Sequence, residues 1–230
     1  MSIRHQPAAL VLALSLACAA AGAPAAAQED IDKVNGSVTA EAGRQYGDLG
    51  TVNGSIRIDD GARAGDAETV NGSVRAGNDI GADSLSTVNG SIRVGERAAI
   101  SGHVETVNGS IFVGSGGRVG KGVETVNGAI GLVRTEVAGS VETVNGDITI
   151  GVGSHVRGGL HVHKQGKTWM PIRFKQRKPR IIVGPGAVVD GELRFEREVS
   201  LHVHDTARIG QVIGATPEPY STPTAPQADD

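Results

Sequence analysis

The chain has 230 residues, with 22 basic and 25 acidic side chains, 34 glycines, one cysteine and only 3% aromatic residues. A single cysteine excludes a disulfide framework, and the scarcity of rings leaves Val, Ile, Leu and Ala to fill any core. Charge is near balance overall, yet residues 28–150 hold 17 acidic and 10 basic side chains, whereas residues 164–180 hold seven basic and none acidic.

Residues 1–27 read as a secretory signal peptide. Arg4 precedes an apolar run from Ala8 to Ala21, and Pro24 leads into the small-residue stretch Ala25-Ala26-Ala27. Cleavage after Ala27 is expected, placing the mature chain in the periplasm or at the cell surface. The strongly apolar part, Leu10 to Leu16, is short for a membrane span, which needs about 20 residues. Cys18 lies in this segment, but Ser15 stands where a lipoprotein signal wants an aliphatic residue, so lipidation is not expected. A chain starting at Gln28 has no thiol for catalysis or metal binding.

From Lys33 onward one phrase recurs seven times, mostly as Thr-Val-Asn-Gly-Ser-Ile. Its asparagines are Asn35, Asn53, Asn71, Asn89, Asn108, Asn127 and Asn145, in steps of 18 or 19 residues. A period this short is the signature of a solenoid. Within the coil that begins at Asn89, Ile92 and Val94 alternate with Arg93, a period of two that points the aliphatics inward. Gly95 and Gly102 then separate further short sides. Three sides of about six residues predict an all-β, three-sided β-helix spanning 28–215, with about 18 residues per coil. Stacked coils would align Val38, Ile56, Val74, Ile92, Ile111, Ile130 and Ile148 in one inward column. A second column would hold Ala40, Ile58, Ala76, Val94, Val113, Leu132 and Ile150.

The Asn-Gly step is read as a corner in which both residues tolerate left-handed backbone. The stacked amides are read as a ladder from coil to coil. Five copies also match a glycosylation acceptor, but Asn127 and Asn145 keep the Asn-Gly without the Ser. The phrase therefore outlasts the acceptor, which favours the ladder.

The phrase ends at Ile150. Residues 164–180 break the period and predict a loop that leaves the stack, with Lys164, Lys167, Arg173, Lys175, Arg177, Lys178 and Arg180 interleaved with Trp169 and Phe174. Cations among rings suit an anionic partner, such as lipid headgroups or an envelope polysaccharide; for an exported chain no nucleic acid is expected. The bland reading is a solvated loop whose rings pack on the solenoid flank. Two His-x-His pairs flank it, His161/His163 and His202/His204. Residues two apart share a strand face, so each pair could chelate a divalent ion, and the two together could form a four-His site. No acidic residue recurs beside them in sequence, and inward valines leave the histidines as ordinary outward residues, so neither metal nor cofactor is expected. Residues 216–230, with four prolines, predict a disordered tail.

The Thr-Val-Asn-Gly-Ser-Ile repeats over 33–150 resemble the bacterial adhesin-type β-strand-repeat family of exported β-solenoids. The run Ile182-Val-Gly-Pro-Gly-Ala-Val-Val-Asp-Gly-Glu-Leu193 is similar to bactofilins, polymer-forming scaffolds built on a right-handed three-sided β-helix. These resemblances imply a right-handed solenoid and an envelope structural or adhesive role, with self-association as a bactofilin-like scaffold the alternative. Neither supplies a catalytic residue. The 18-residue coil is shared with hexapeptide acyltransferases, whose aliphatic residue at every sixth position fits Val183 and Val189 but not the Asn-Gly repeats. An enzyme is not expected.

Overall fold

The computed structural model describes residues 28–164 and 177–224. The predicted leader and Lys167, Trp169, Arg173, Phe174 and Lys175 lie outside the described residues. Short strands wind into a three-sided prism of about ten rungs, each strand paired in parallel with the same side of the next rung. The first sheet has ten strands, from Glu29–Asn35 to Val212–Ile213. The second also has ten, from Val38–Ala40 to Pro217–Tyr220, and the third has seven, from Gly81–Ala82 to Arg208–Ile209.

Register follows the repeat. Ile92 pairs with Ile111, Ile111 with Ile130 and Ile130 with Ile148, so each inward aliphatic stacks on its own kind about 4.8 Å away. Both predicted columns are buried throughout. Among the described residues, rings enter the core toward the ends, at Tyr46, Phe195 and Tyr220. Elsewhere the core is filled by aliphatic residues, joined by the buried threonines of the repeated phrase and by Ser86, Thr135 and Ser154.

The threonine, asparagine and serine of the repeated phrase each make a rung-to-rung contact. Asn53, Asn71, Asn89, Asn108, Asn127 and Asn145 each donate the side-chain amide to the Oδ1 of the asparagine one rung before, at 3.0–3.1 Å. The threonine hydroxyl, buried on the inner side, donates to the glycine carbonyl of the preceding rung; Thr51, Thr69, Thr87, Thr106 and Thr125 all do so. The serine hydroxyl accepts from the backbone N–H of the next rung, from Ser37 through Ser110. Three side-chain ladders thus run beside the backbone ladder, giving otherwise orphaned corner groups a partner.

The glycine has a different cause from the one expected. None of the seven asparagines has positive φ, and of the glycines that follow them only Gly36 and Gly128 do. At Gly54, Gly72, Gly90 and Gly109 an added Cβ would overlap the carbonyl oxygen of the glycine one rung below. Close backbone stacking, not handedness, requires glycine there. The left-handed corner lies between the second and third sheets, where Gly43, Gly61, Gly116, Gly153 and Gly186 alternate with Asp79, Arg97 and Arg134, all at positive φ.

The C-terminus also departs from expectation. Pro217–Tyr220, inside the segment predicted to be disordered, is the last strand of the second sheet, with Leu201 opposite Pro217 and Val203 opposite Pro219. Proline is tolerated there because an edge strand needs no donors on its open side. Tyr220 is buried and its hydroxyl reaches the Val183 carbonyl at 3.4 Å.

Two substitutions should move stability in opposite directions in urea unfolding. Gly90→Ala forces the two rungs apart and is expected to cost about 3 kcal/mol. Arg134→Gly relieves a left-handed arginine and is expected to stabilise by about 1 kcal/mol. A neutral Gly90→Ala would show that the rungs tolerate a side chain between them.

Candidate functional site

The regular exterior breaks where the repeats end, and Arg177, Lys178 and Arg180 of the basic stretch lie there with His161 and His163. The last copy of the phrase reads Asn145-Gly-Asp147 rather than Asn-Gly-Ser. Asp147 takes over from the serine ladder and fastens the returning leg of the predicted loop. Its Oδ2 lies 2.7 Å from the Arg177 guanidinium, and its Oδ1 accepts the Arg180 backbone N–H at 2.8 Å. Arg197 donates to Asn145 Oδ1 at 2.6 Å and to the Val144 carbonyl at 3.1 Å. A guanidinium therefore closes the acceptor end of the asparagine ladder.

The described members of the basic stretch are held by carboxylates at this junction. Lys178 pairs with Glu198 at 2.9 Å, and the Lys164 backbone N–H donates to Glu196. Arg177, Lys178 and Arg197 line a shallow recess with Asn145, Gly146 and Pro179. Arg177 and Lys178 are thus at once partly neutralised and exposed at the rim.

The two His-x-His pairs do not meet. His161 and His163 project from the first sheet and His202 and His204 from the second, so the four-His arrangement does not form. In both pairs the middle valine is the inward residue, fully buried at Val162 and partly at Val203. His202 faces Glu218 at 3.4 Å, while His204 lies edge-on to Tyr220 and contacts Thr206. The other pair has a partner that a search within each strand misses. The register sets Glu142 directly below His161, a step of 19 residues. His163 Nε2 lies 2.7 Å from Glu142 Oε2, and His161 Nδ1 lies 3.5 Å from Oε1. The Ser140 hydroxyl donates to Glu142 Oε1 at 2.5 Å. The signals in the sequence were that 19-residue step and the aspartate in the last phrase.

Stacking in register also collects like charges. Glu105, Glu124 and Glu142 occupy successive rungs of one outward column. Burial, then the carboxylates of Glu142 and Glu105, push the Glu124 carboxyl upward. Glu142 behaves in the opposite way. Its hydrogen bond with His161, aided by Ser140 and His163, outweighs burial and holds it at about 2. The same contact raises the His161 imidazole. On the second sheet the outward column is basic, with Arg57, Arg75 and Arg93 in register and the Arg93 guanidinium over the Phe112 ring at 5.6 Å.

Comparison with known proteins finds no counterpart: no family model matches the chain, and no curated protein or solved structure is significantly similar to it.

The Glu142–His161 contact makes a signed prediction. A carboxyl whose folded pKa is lowered contributes stability above its ordinary 4.5 and loses it as pH falls toward about 2. An imidazole whose folded pKa is raised contributes stability below its ordinary 6.5 and loses it as pH rises through the folded value. The Glu142–His161 contact is the largest cause of both shifts, so it contributes most between 4.5 and 6.5. In metal-free buffer, Glu142→Gln should destabilise by about 1 kcal/mol in that window, with the difference shrinking on either side. A difference independent of pH would mean that packing, not charge, is lost.

Proposed function

We propose that this chain is an exported, non-catalytic β-solenoid that serves as a structural or adhesive element of a bacterial cell envelope. The observation that carries this reading is the exterior of the first sheet, where the outward residues of Glu-Thr-Val-Asn recur in register from rung to rung. A rigid rod that repeats one chemical pattern suits many weak attachments to an extended partner better than capture of one small molecule. Residues 1–27 support export through their signal-peptide pattern, and the resemblance of the repeats supports an envelope setting. The basic stretch from Lys164 to Arg180 supports an anionic envelope partner, lipid headgroups or polysaccharide, approached at the rim where Arg177 and Lys178 lie.

A second reading, a self-assembling scaffold of bactofilin type, is favoured by one specific feature. Val203, Ile209 and Val212 in the C-terminal coils are only partly buried, whereas the aliphatics of the middle rungs are at 0–2% exposure. A second copy stacked on that end would cover them.

Cell fractionation with mass analysis of the purified chain tests the first reading. A product beginning at Gln28 in an extracytoplasmic fraction is expected. Replacing the seven cations of 164–180 is expected to weaken its co-sedimentation with envelope fragments. A cytoplasmic chain still beginning at Met1 would contradict the proposal.

A further inference from the structure

The strand Leu160–Val162 and the residue after it break the exterior pattern of the first sheet twice. Where the rungs below present Glu105, Glu124 and Glu142, this rung presents His161. One position past the next pair in that register, where the rungs below present Val107, Val126 and Val144, it presents His163. Both changes introduce an imidazole, both side chains lie on the outward side of one strand, and both converge on one carboxylate. One ring nitrogen from each histidine and one oxygen of Glu142 all lie within 4.8 Å of one another. All three side chains are half-buried.

We propose that Glu142, His161 and His163 bind one divalent transition cation of the zinc class, as a three-ligand site on the flank of the solenoid. Two imidazoles and a carboxylate favour zinc and its neighbours over magnesium or calcium, which prefer all-oxygen ligands. Ligand atoms around tetrahedral zinc sit about 2.0–2.2 Å from the metal. Donors at that range stand roughly 3.3–3.6 Å from one another, a separation that the 3.5 Å His161–Glu142 contact already has and that the 2.7 Å His163–Glu142 contact must lengthen to reach. Small side-chain rotations close the set while the paired strands hold the Cα positions.

The surroundings fit a cation. Ser140 donates to Glu142 Oε1 and fixes the carboxylate, as an outer partner does for a metal-bound carboxylate. Glu124, one rung below, adds a second negative charge within reach of both Glu142 and His163. From the rung above, Arg194 lies in register with His161 but is itself paired with Glu192 at 2.6 Å, which offsets its charge. The remaining coordination position faces solvent, because these side chains stand on the outside of the prism. Binding would replace the existing imidazole–carboxylate contact and displace a proton from any charged imidazole. The inference is independent of the envelope reading.

The test is a titration of the purified full chain, carrying no histidine tag, with zinc by calorimetry and with cobalt(II) by visible absorption. One equivalent of heat and a cobalt ligand-field band are expected. Glu142→Gln, His161→Ala and His163→Ala should each weaken binding by about tenfold or more. The double variant His202→Ala/His204→Ala should leave binding unchanged. All these side chains project outward, and thermal melts of the variants verify that each is folded. Absence of heat and of a cobalt band would overturn the site, as would binding that persists in the three variants or disappears in the His202/His204 double variant.

Discussion

Parallel in-register pairing between rungs is the constraint on which the rest of the structure depends. Because each strand lies about 4.8 Å from the same strand of the next coil, each side chain has its own counterparts above and below. A residue recurs along a column where it stacks well on copies of itself. Isoleucine and valine do so inside, asparagine does so through its amide, and glycine does so by leaving room for backbone. Glutamate does so poorly, and the upward push on Glu124 records the repulsion. The repeated phrase is the short list of residues that satisfy this rule at one corner.

The rule also explains why chemistry gathers where repetition stops. A column of identical residues can only extend itself, so a new contact needs a substitution in one rung. Asp147 in place of serine anchors the returning leg near Arg177 and Arg180. Arg197 closes the amide ladder at Asn145, and His161 and His163 fall above Glu142. The ladder has a direction, since each amide donates toward the N-terminal end and leaves an acceptor at Asn145. A guanidinium suits that end, because a charged donor strengthens a polarised chain of hydrogen bonds.

Most of the fold was legible in the sequence, because a period of 18 or 19 residues assigns every position to a column. The two aliphatic columns and the asparagine ladder follow from that arithmetic alone. The role of the glycines did not. An Asn-Gly step looks the same whether it serves a left-handed turn or a close backbone approach, and only the coordinates separate Gly90 from Gly43. The strand Pro217–Tyr220 was hidden because proline opposes pairing except at an edge, and the position of the last rung is not written locally. At the site, the His-x-His spacing is visible in the sequence, but the partner of the pair is not in the same strand. Glu142 lies one coil away, visible only when the repeat step is carried past the last copy of the phrase to His161.

The measurement closest to the central claim is hydrogen exchange of the asparagine side-chain amides, followed by NMR. If the phrase exists to bond rung to rung, one amide proton of each of Asn53, Asn71, Asn89, Asn108, Asn127 and Asn145 will exchange far more slowly than in an exposed asparagine. Arg197→Ala will then speed exchange at Asn145 first. Exchange of all six at the rate of a free side chain, in a chain whose backbone amides stay protected, would contradict the account. The asparagines would then be surface residues of a solenoid held by its backbone and aliphatic columns alone.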